Sequence, residues 1–239
     1  YGIDLTTWSP THFIYYIATD IMIFGVWHGY NLYTWHTVPT WKSMHTWFMM
    51  FLLECLLFPN MQQENGAISY DQYIHGKSIA SKEILELISD PASQIFGGIP
   101  VYVYPIYSVL MVGLLTVVTI RILRDFTIPF MGALLYICLR FIGKAIFAAV
   151  EYPTSYVPMT IILIPLAFLL FRRTNWLAGL IGSLAYFLSL FAIHKSGILI
   201  TPPLELWELA PVLLIGILIP VINAIINPHL ALRKNKQPA

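Results

Sequence analysis

The chain has 239 residues, of which 58% are hydrophobic and only 10% are charged. Soluble globular domains carry about 25% charged residues, so this composition predicts an integral membrane protein. The formal net charge of +1 provides no overall basic field, and nucleic acid is therefore not expected as a partner.

Apolar segments recur along the whole chain. Crossing a bilayer takes about 20 mostly apolar residues in a helix, and seven segments come close to that length. The sequence therefore predicts an all-α, polytopic membrane protein with about seven transmembrane helices, forming a single transmembrane domain over residues 1–239. The segments lie near residues 10–35, 45–61, 104–124, 127–152, 155–172, 175–197 and 206–228.

The first segment has a well-marked start. Ser9 can cap a helix, Pro10 suits the first helical position, and His12 then falls in the first turn. The second segment is predicted to end at Pro59, because proline cannot donate the backbone hydrogen bond that continues a helix.

A polar segment, residues 62–103, separates the second span from the third and is predicted to be an extracytoplasmic loop. Within it, residues 81–90 read SKEILELISD, with isoleucine and leucine on one side and acids on the other. This pattern predicts a short amphipathic helix that lies on the membrane or on a partner.

Three clusters of basic residues, at the ends of the third and fifth spans and after the seventh, lie on the same side, which predicts that this side is cytoplasmic. The first helix start and the 62–103 loop would then face outward from a prokaryotic plasma or intracytoplasmic membrane, and the C-terminus would be cytoplasmic. These basic residues are Arg121, Arg124, Arg172, Arg173, Arg233, Lys234 and Lys236.

Ionisable residues also fall at membrane depth in the predicted spans, where a charge is costly. The first span carries Asp20, the second Glu54, and the fourth Arg140 and Lys144, with Glu151 near its outer end. Structural ion pairs between helices are the favoured interpretation, and a ligand site or proton path is the alternative.

The histidines are concentrated near the start of the chain. His12 and His28 are about 24 Å apart along a helix, so they cannot bind one metal ion from one straight helix. His28, His36 and His45 lie among tryptophans, which favours an aromatic belt at the cytoplasmic surface, with metal binding as the weaker alternative.

The stretch TTWSPTHFIYY, residues 6–16, resembles the C subunit of the copper membrane monooxygenases, the family of particulate methane and ammonia monooxygenases. In that subunit the histidine of a similar helix start is a copper ligand, which implies this role for His12. The resemblance implies two further ligands in an Asp-x-x-x-His motif, which here would lie before Tyr1. Asp20, two turns deeper, is a candidate for orienting a ligand or handling a proton.

Two weaker resemblances follow. Residues 44–54, MHTWFMMFLLE, are similar to a stretch of the same subunit, but Trp41 and Pro59 stand where the family has further ligands. A second copper position on His45 is therefore not supported. Residues 143–171 resemble a segment of the A subunit of ammonia monooxygenases.

The leading functional hypothesis is a membrane subunit of a copper-dependent monooxygenase-like complex that hydroxylates ammonia, methane or a short hydrocarbon. Its expected cofactor is copper, and its expected partners are the lipid bilayer and other membrane subunits. One alternative is a non-catalytic structural subunit of an energy-transducing membrane complex. The other is a small-solute or proton transporter whose path is lined by Asp20, Glu54, Arg140 and Lys144.

Overall fold

A computed structural model describes residues 10–34, 40–76, 89–90, 95–96, 99–150 and 157–226. Two of the predicted site residues, His36 and Glu151, lie outside these ranges, as do the C-terminal basic cluster and parts of the polar segment 62–103.

Seven α-helices make up most of the described residues, which confirms the all-α prediction. Short 3₁₀ turns, Met159–Ile162 and Leu206–Glu208, lead into the fifth and seventh helices. The helices are α1 (Pro10–Thr34), α2 (Trp41–Ile74), α3 (Val103–Leu123), α4 (Thr127–Ala149), α5 (Leu163–Leu170), α6 (Asn175–Ser196) and α7 (Leu209–Ile226).

Fewer helices than predicted meet the requirements for crossing a membrane. Within the described residues, four are long and apolar enough: Val103–Leu123, Thr127–Ala149, Asn175–Ser196 and Leu206–Ile225. Polar side chains such as Asp20 lower the hydropathy of α1, and the eight residues of α5 span only about 12 Å. The chain is therefore an integral membrane protein by the length and composition of these four helices.

The second helix is longer than the sequence predicts, because α2 continues through Pro59 to Ile74. Proline removes one helical hydrogen bond, but helices in membrane proteins tolerate it where neighbouring helices support the chain. Here α3 and the chain before it give that support: Asn60 Nδ2 donates to Ser108 Oγ at 2.7 Å, and Gln63 Nε2 donates to the carbonyl oxygen of Pro100 at 3.0 Å.

The amphipathic helix predicted over residues 81–90 does not extend to its last two residues, which form a strand instead. Ser89 and Asp90 form strand β1, which pairs antiparallel with β2 (Ile95–Phe96), and β2 pairs with β3 (Ile99–Pro100). Strand pairing supplies these backbone groups with hydrogen-bond partners across the small sheet. Residues 81–88 of that prediction lie outside the described residues.

The α2 helix is central, because α1, α3 and α4 all pack against it. On the other side of α3, α6 and α7 approach closely at two glycines: a Cβ added to Gly179 would overlap the carbonyl oxygen of Gly216. Small residues allow such close backbone packing between membrane helices.

One end of the bundle, here called the basic end, is fixed by three contacts. Lys42 Nζ lies 2.9 Å from Asp125 Oδ2, Arg121 Nη1 donates to Asn223 Oδ1 at 2.9 Å, and the Arg172 guanidinium lies 5.7 Å from the Phe126 ring centroid. These contacts place the described basic clusters together, away from the start of α1.

Candidate functional site

Arg140 of α4 contacts several side chains of α2 and α4 in the described part of the bundle. Its Nη1 lies 3.8 Å from Glu54 Oε1, and its Nη2 lies 3.4 Å from Glu64 Oε2. Nη1 also lies 2.8 Å from Met61 Sδ, and the guanidinium is 5.8 Å from the Tyr136 ring centroid. Arg140 therefore links α4 to one face of α2 through a charge cluster.

Glu64 is the member of this cluster that sequence reasoning missed. It is 1% exposed, and Oε1 accepts a hydrogen bond of 2.8 Å from the hydroxyl group of Tyr104 on α3. Glu64 was placed in an outer loop because the helix was predicted to end at Pro59. Had α2 been continued, the spacing of Glu54, Met61 and Glu64 would have put all three on one helical face.

The other predicted intramembrane charges are arranged differently. Lys144, one turn beyond Arg140, makes no ion pair with any residue that the structure describes. Asp20 is not paired with α4, since the guanidinium of Arg140 is bound by Glu54 and Glu64 instead. The charge cluster around Arg140 thus consists of one basic residue and two acidic residues, Glu54 and Glu64.

Asp20 lies on α1 beside an apolar cavity of about 240 Å³ formed by α1, α2 and α3. The residue is 9% exposed, and its Oδ1 is buried without a hydrogen-bond partner among the described residues. Asp20 and this cavity are separate from the cluster around Arg140, which lies between α2 and α4.

His12 is half-buried in the first turn of α1, at the end of the bundle opposite the basic end. Over the described ranges, no group of three or more histidine, cysteine, aspartate or glutamate side chains could hold a metal ion. His12 is therefore the single member of the implied copper site that these ranges contain.

Two further histidines that the sequence offered as metal candidates, His28 and His45, lie near the basic end in aromatic surroundings. His45 is fully buried: its Nδ1 accepts a hydrogen bond of 2.5 Å from Trp27 Nε1, and its ring is 4.6 Å from Trp41 and 5.3 Å from Tyr30, centroid to centroid. His28 is exposed and stacks on Phe24. The indole N–H orients the His45 ring, so a packing role is sufficient to explain this histidine.

Comparison of the chain with protein-family models, with curated proteins and with solved structures found no match. Functional interpretation therefore depends on three features of the molecule: the cluster around Arg140, the cavity beside Asp20, and the helix start at His12. The first ties helices together, and the other two are not accounted for by packing.

Proposed function

We propose that this chain is a membrane-embedded subunit of a copper-dependent monooxygenase-like complex that hydroxylates a small substrate such as ammonia, methane or a short hydrocarbon. The observation that supports this proposal is the start of α1. The helix begins at Pro10 and carries His12 in its first turn, which is the placement that the resemblance of residues 6–16 implies.

The donor set for copper is incomplete in the described residues. A carboxylate and imidazoles suit a copper ion, but His12 contributes one nitrogen, and the described residues contain no group of three or more histidine, cysteine, aspartate or glutamate side chains that could hold a metal ion. The remaining ligands would come from an Asp-x-x-x-His segment upstream of Tyr1. Copper binding would thus need ligands from outside the described helices. The described helices hold His12 in the first turn of α1.

The position of α1 supports a role as a subunit. This helix packs mainly on α2, and its remaining surface carries large apolar side chains. In a membrane that surface is covered either by lipid or by helices of other subunits. The exposed side chains include Ile14, Tyr15, Ile17, Ile21, Met22 and Tyr33.

The two alternatives predict different properties. A structural subunit would have the same exposed α1 surface but would bind no metal. A transporter would need mobile charged groups along a path, whereas the Arg140 guanidinium is bound by Glu54, Glu64 and Met61 at the junction of α2 and α4. That arrangement favours a cross-link between helices over a path.

Metal analysis tests the proposal. The full-length protein would be purified from membranes in mild detergent with its partners, and copper per chain would be measured for the wild type, His12→Ala and His28→Ala. We expect copper in the wild type and in His28→Ala, whose histidine is exposed on the same helix, and loss of copper in His12→Ala. A copper-free wild type that still copurifies with stoichiometric partners would support the structural-subunit alternative instead.

A further inference from the structure

The cavity beside Asp20 is almost entirely apolar. Leu52 and Leu56 of α2 and Leu115 of α3 form its inner wall, and Ile21 and Leu114 stand at its rim, where they are 66% and 47% exposed. The rim therefore faces the outside of the bundle, which in a membrane is the hydrocarbon of the bilayer. A molecule dissolved in the bilayer could reach the cavity without passing through water.

Asp20 is the one ionisable group among the described lining residues. A buried polar atom without a hydrogen-bond partner costs free energy, more so if it is charged. The buried Oδ1 of Asp20 has no partner among the described residues. A donor group placed in the cavity would remove that cost, while the leucines would accommodate an apolar body.

We propose that this cavity binds a bilayer-dissolved molecule that has a short apolar body and one amine or alcohol group, which donates a hydrogen bond to Asp20. The site is distinct from the start of α1, because His12 lies about 12 Å earlier along the helix. It therefore does not depend on copper at His12, and the two proposals can fail separately.

The volume limits the size of the ligand. At about 30 Å³ for each water-sized unit, a cavity of about 240 Å³ holds roughly eight such units. A straight chain of seven carbons with one head group is close to this size. Heptylamine and 1-heptanol are therefore suitable probes, with heptane as the probe that lacks a donor.

Binding would be measured with labelled probes on the full-length protein in phosphatidylcholine nanodiscs, with protein-free nanodiscs as the background. We expect saturable binding of at least one donor-headed probe, at least tenfold tighter than heptane, since a hydrogen bond to a charged or buried partner contributes about that factor. Binding of heptylamine but not 1-heptanol would show that the site requires a cationic head group. Binding of both probes would show that a neutral hydrogen-bond donor is sufficient. Absence of saturable binding by both, or equal binding of heptane, would overturn the proposal.

Two variants connect the binding to the site. Asp20→Leu should weaken the donor-headed probe at least tenfold, and Leu114→Trp should weaken it by narrowing the rim while Asp20 is retained. Asp71→Leu, an acid-to-leucine change near the far end of α2 and outside the cavity, is the matched control and should bind as the wild type does. Unchanged affinity in both Asp20→Leu and Leu114→Trp would show that the probe binds elsewhere.

Discussion

The hydroxyl group of Tyr104 donates a hydrogen bond of 2.8 Å to Oε1 of Glu64, and both side chains are at most 1% exposed. This bond joins α3 to the part of α2 that continues beyond Pro59. It also gives Glu64 a second partner besides Arg140, so that both carboxylate oxygens are used.

Removal of this hydrogen bond should destabilise the bundle. In Tyr104→Phe the ring remains and one oxygen of Glu64 loses its donor, so the free energy of unfolding should fall by about 2 kcal/mol. Unfolding in mixed detergent and dodecyl sulfate micelles would measure it. Tyr102→Phe is the matched control, because Tyr102 is 40% exposed and its contact within the described residues is between its ring and that of Trp207. Equal losses in the two variants would mean that the Tyr104 hydroxyl is not specifically required.

Arg140 should matter more to stability than Lys144, although the two lie one turn apart on α4. Arg140→Gln leaves Glu64 buried without its cationic partner, which should cost about 3 kcal/mol. Lys144→Gln removes a charge that has no ion pair within the described ranges, so its effect should be below about 0.5 kcal/mol. The same unfolding assay would compare them, and a larger effect for Lys144 would contradict the structural role of the Arg140 cluster.

The contact between α6 and α7 should not tolerate even one additional methyl group. In Gly179→Ala the new Cβ would overlap the carbonyl oxygen of Gly216, and such overpacking costs about 2 kcal/mol. Gly143→Ala on α4 has open space around its Cβ and should be neutral or stabilise by up to about 1 kcal/mol through helix propensity. The thermal unfolding midpoint should fall in Gly179→Ala and stay the same or rise in Gly143→Ala, and an equal decrease in both would point to a cause other than this contact.

Stability should depend on pH through Asp125 in the turn between α3 and α4. Burial raises the pKa of Asp125, but hydrogen bonds from the Thr127 hydroxyl at 2.5 Å and backbone N–H at 2.8 Å, together with Lys42, outweigh it and hold the pKa below its usual value. A carboxyl group whose pKa is lowered by folding adds stability above its unfolded-state pKa, and this is lost as the pH falls through the folded-state pKa.

The wild type should therefore lose its advantage over Asp125→Asn as the pH falls below about 4. The measurement is the difference in unfolding midpoint between the two proteins as a function of pH. Thr127→Val removes the hydroxyl donor to Asp125 and keeps the backbone N–H donor. In the Thr127→Val background, the difference in unfolding midpoint caused by Asp125→Asn should therefore be smaller than in the wild type but still present. A difference that does not change with pH would show that Asp125 is not stabilised as an anion.

The fold was largely predictable because apolar segments of nearly 20 residues have few alternatives to helix in a membrane. The starts of α1 and α4 were predicted to the residue, at Pro10 and Thr127. Pro59 was misleading, because contacts of Asn60 and Gln63 with α3 and the chain before it support α2 beyond the proline. The hydrogen bond from Asn60 to Ser108 joins residues 48 positions apart, and sequence spacing does not show such a contact.

The candidate sites were predictable in part. A charged side chain within an apolar segment is recognisable from the sequence, so Asp20, Glu54 and Arg140 were identified from their positions in the predicted spans. Which of them pair is a matter of helix rotation and depth, and these depend on tertiary packing. Arg140 pairs with Glu64, although the sequence predicts Glu64 to lie in an outer loop. Asp20 lines a cavity between three helices, which no local sequence pattern indicates.

Electron paramagnetic resonance of copper in the complex purified from its membrane tests the proposed role most directly. We predict a copper(II) signal with nitrogen hyperfine structure in the wild type and in His28→Ala, and loss or alteration of that structure in His12→Ala. A complex that contains no copper, or a spectrum that His12→Ala leaves unchanged, would contradict the assignment of His12 as a copper ligand.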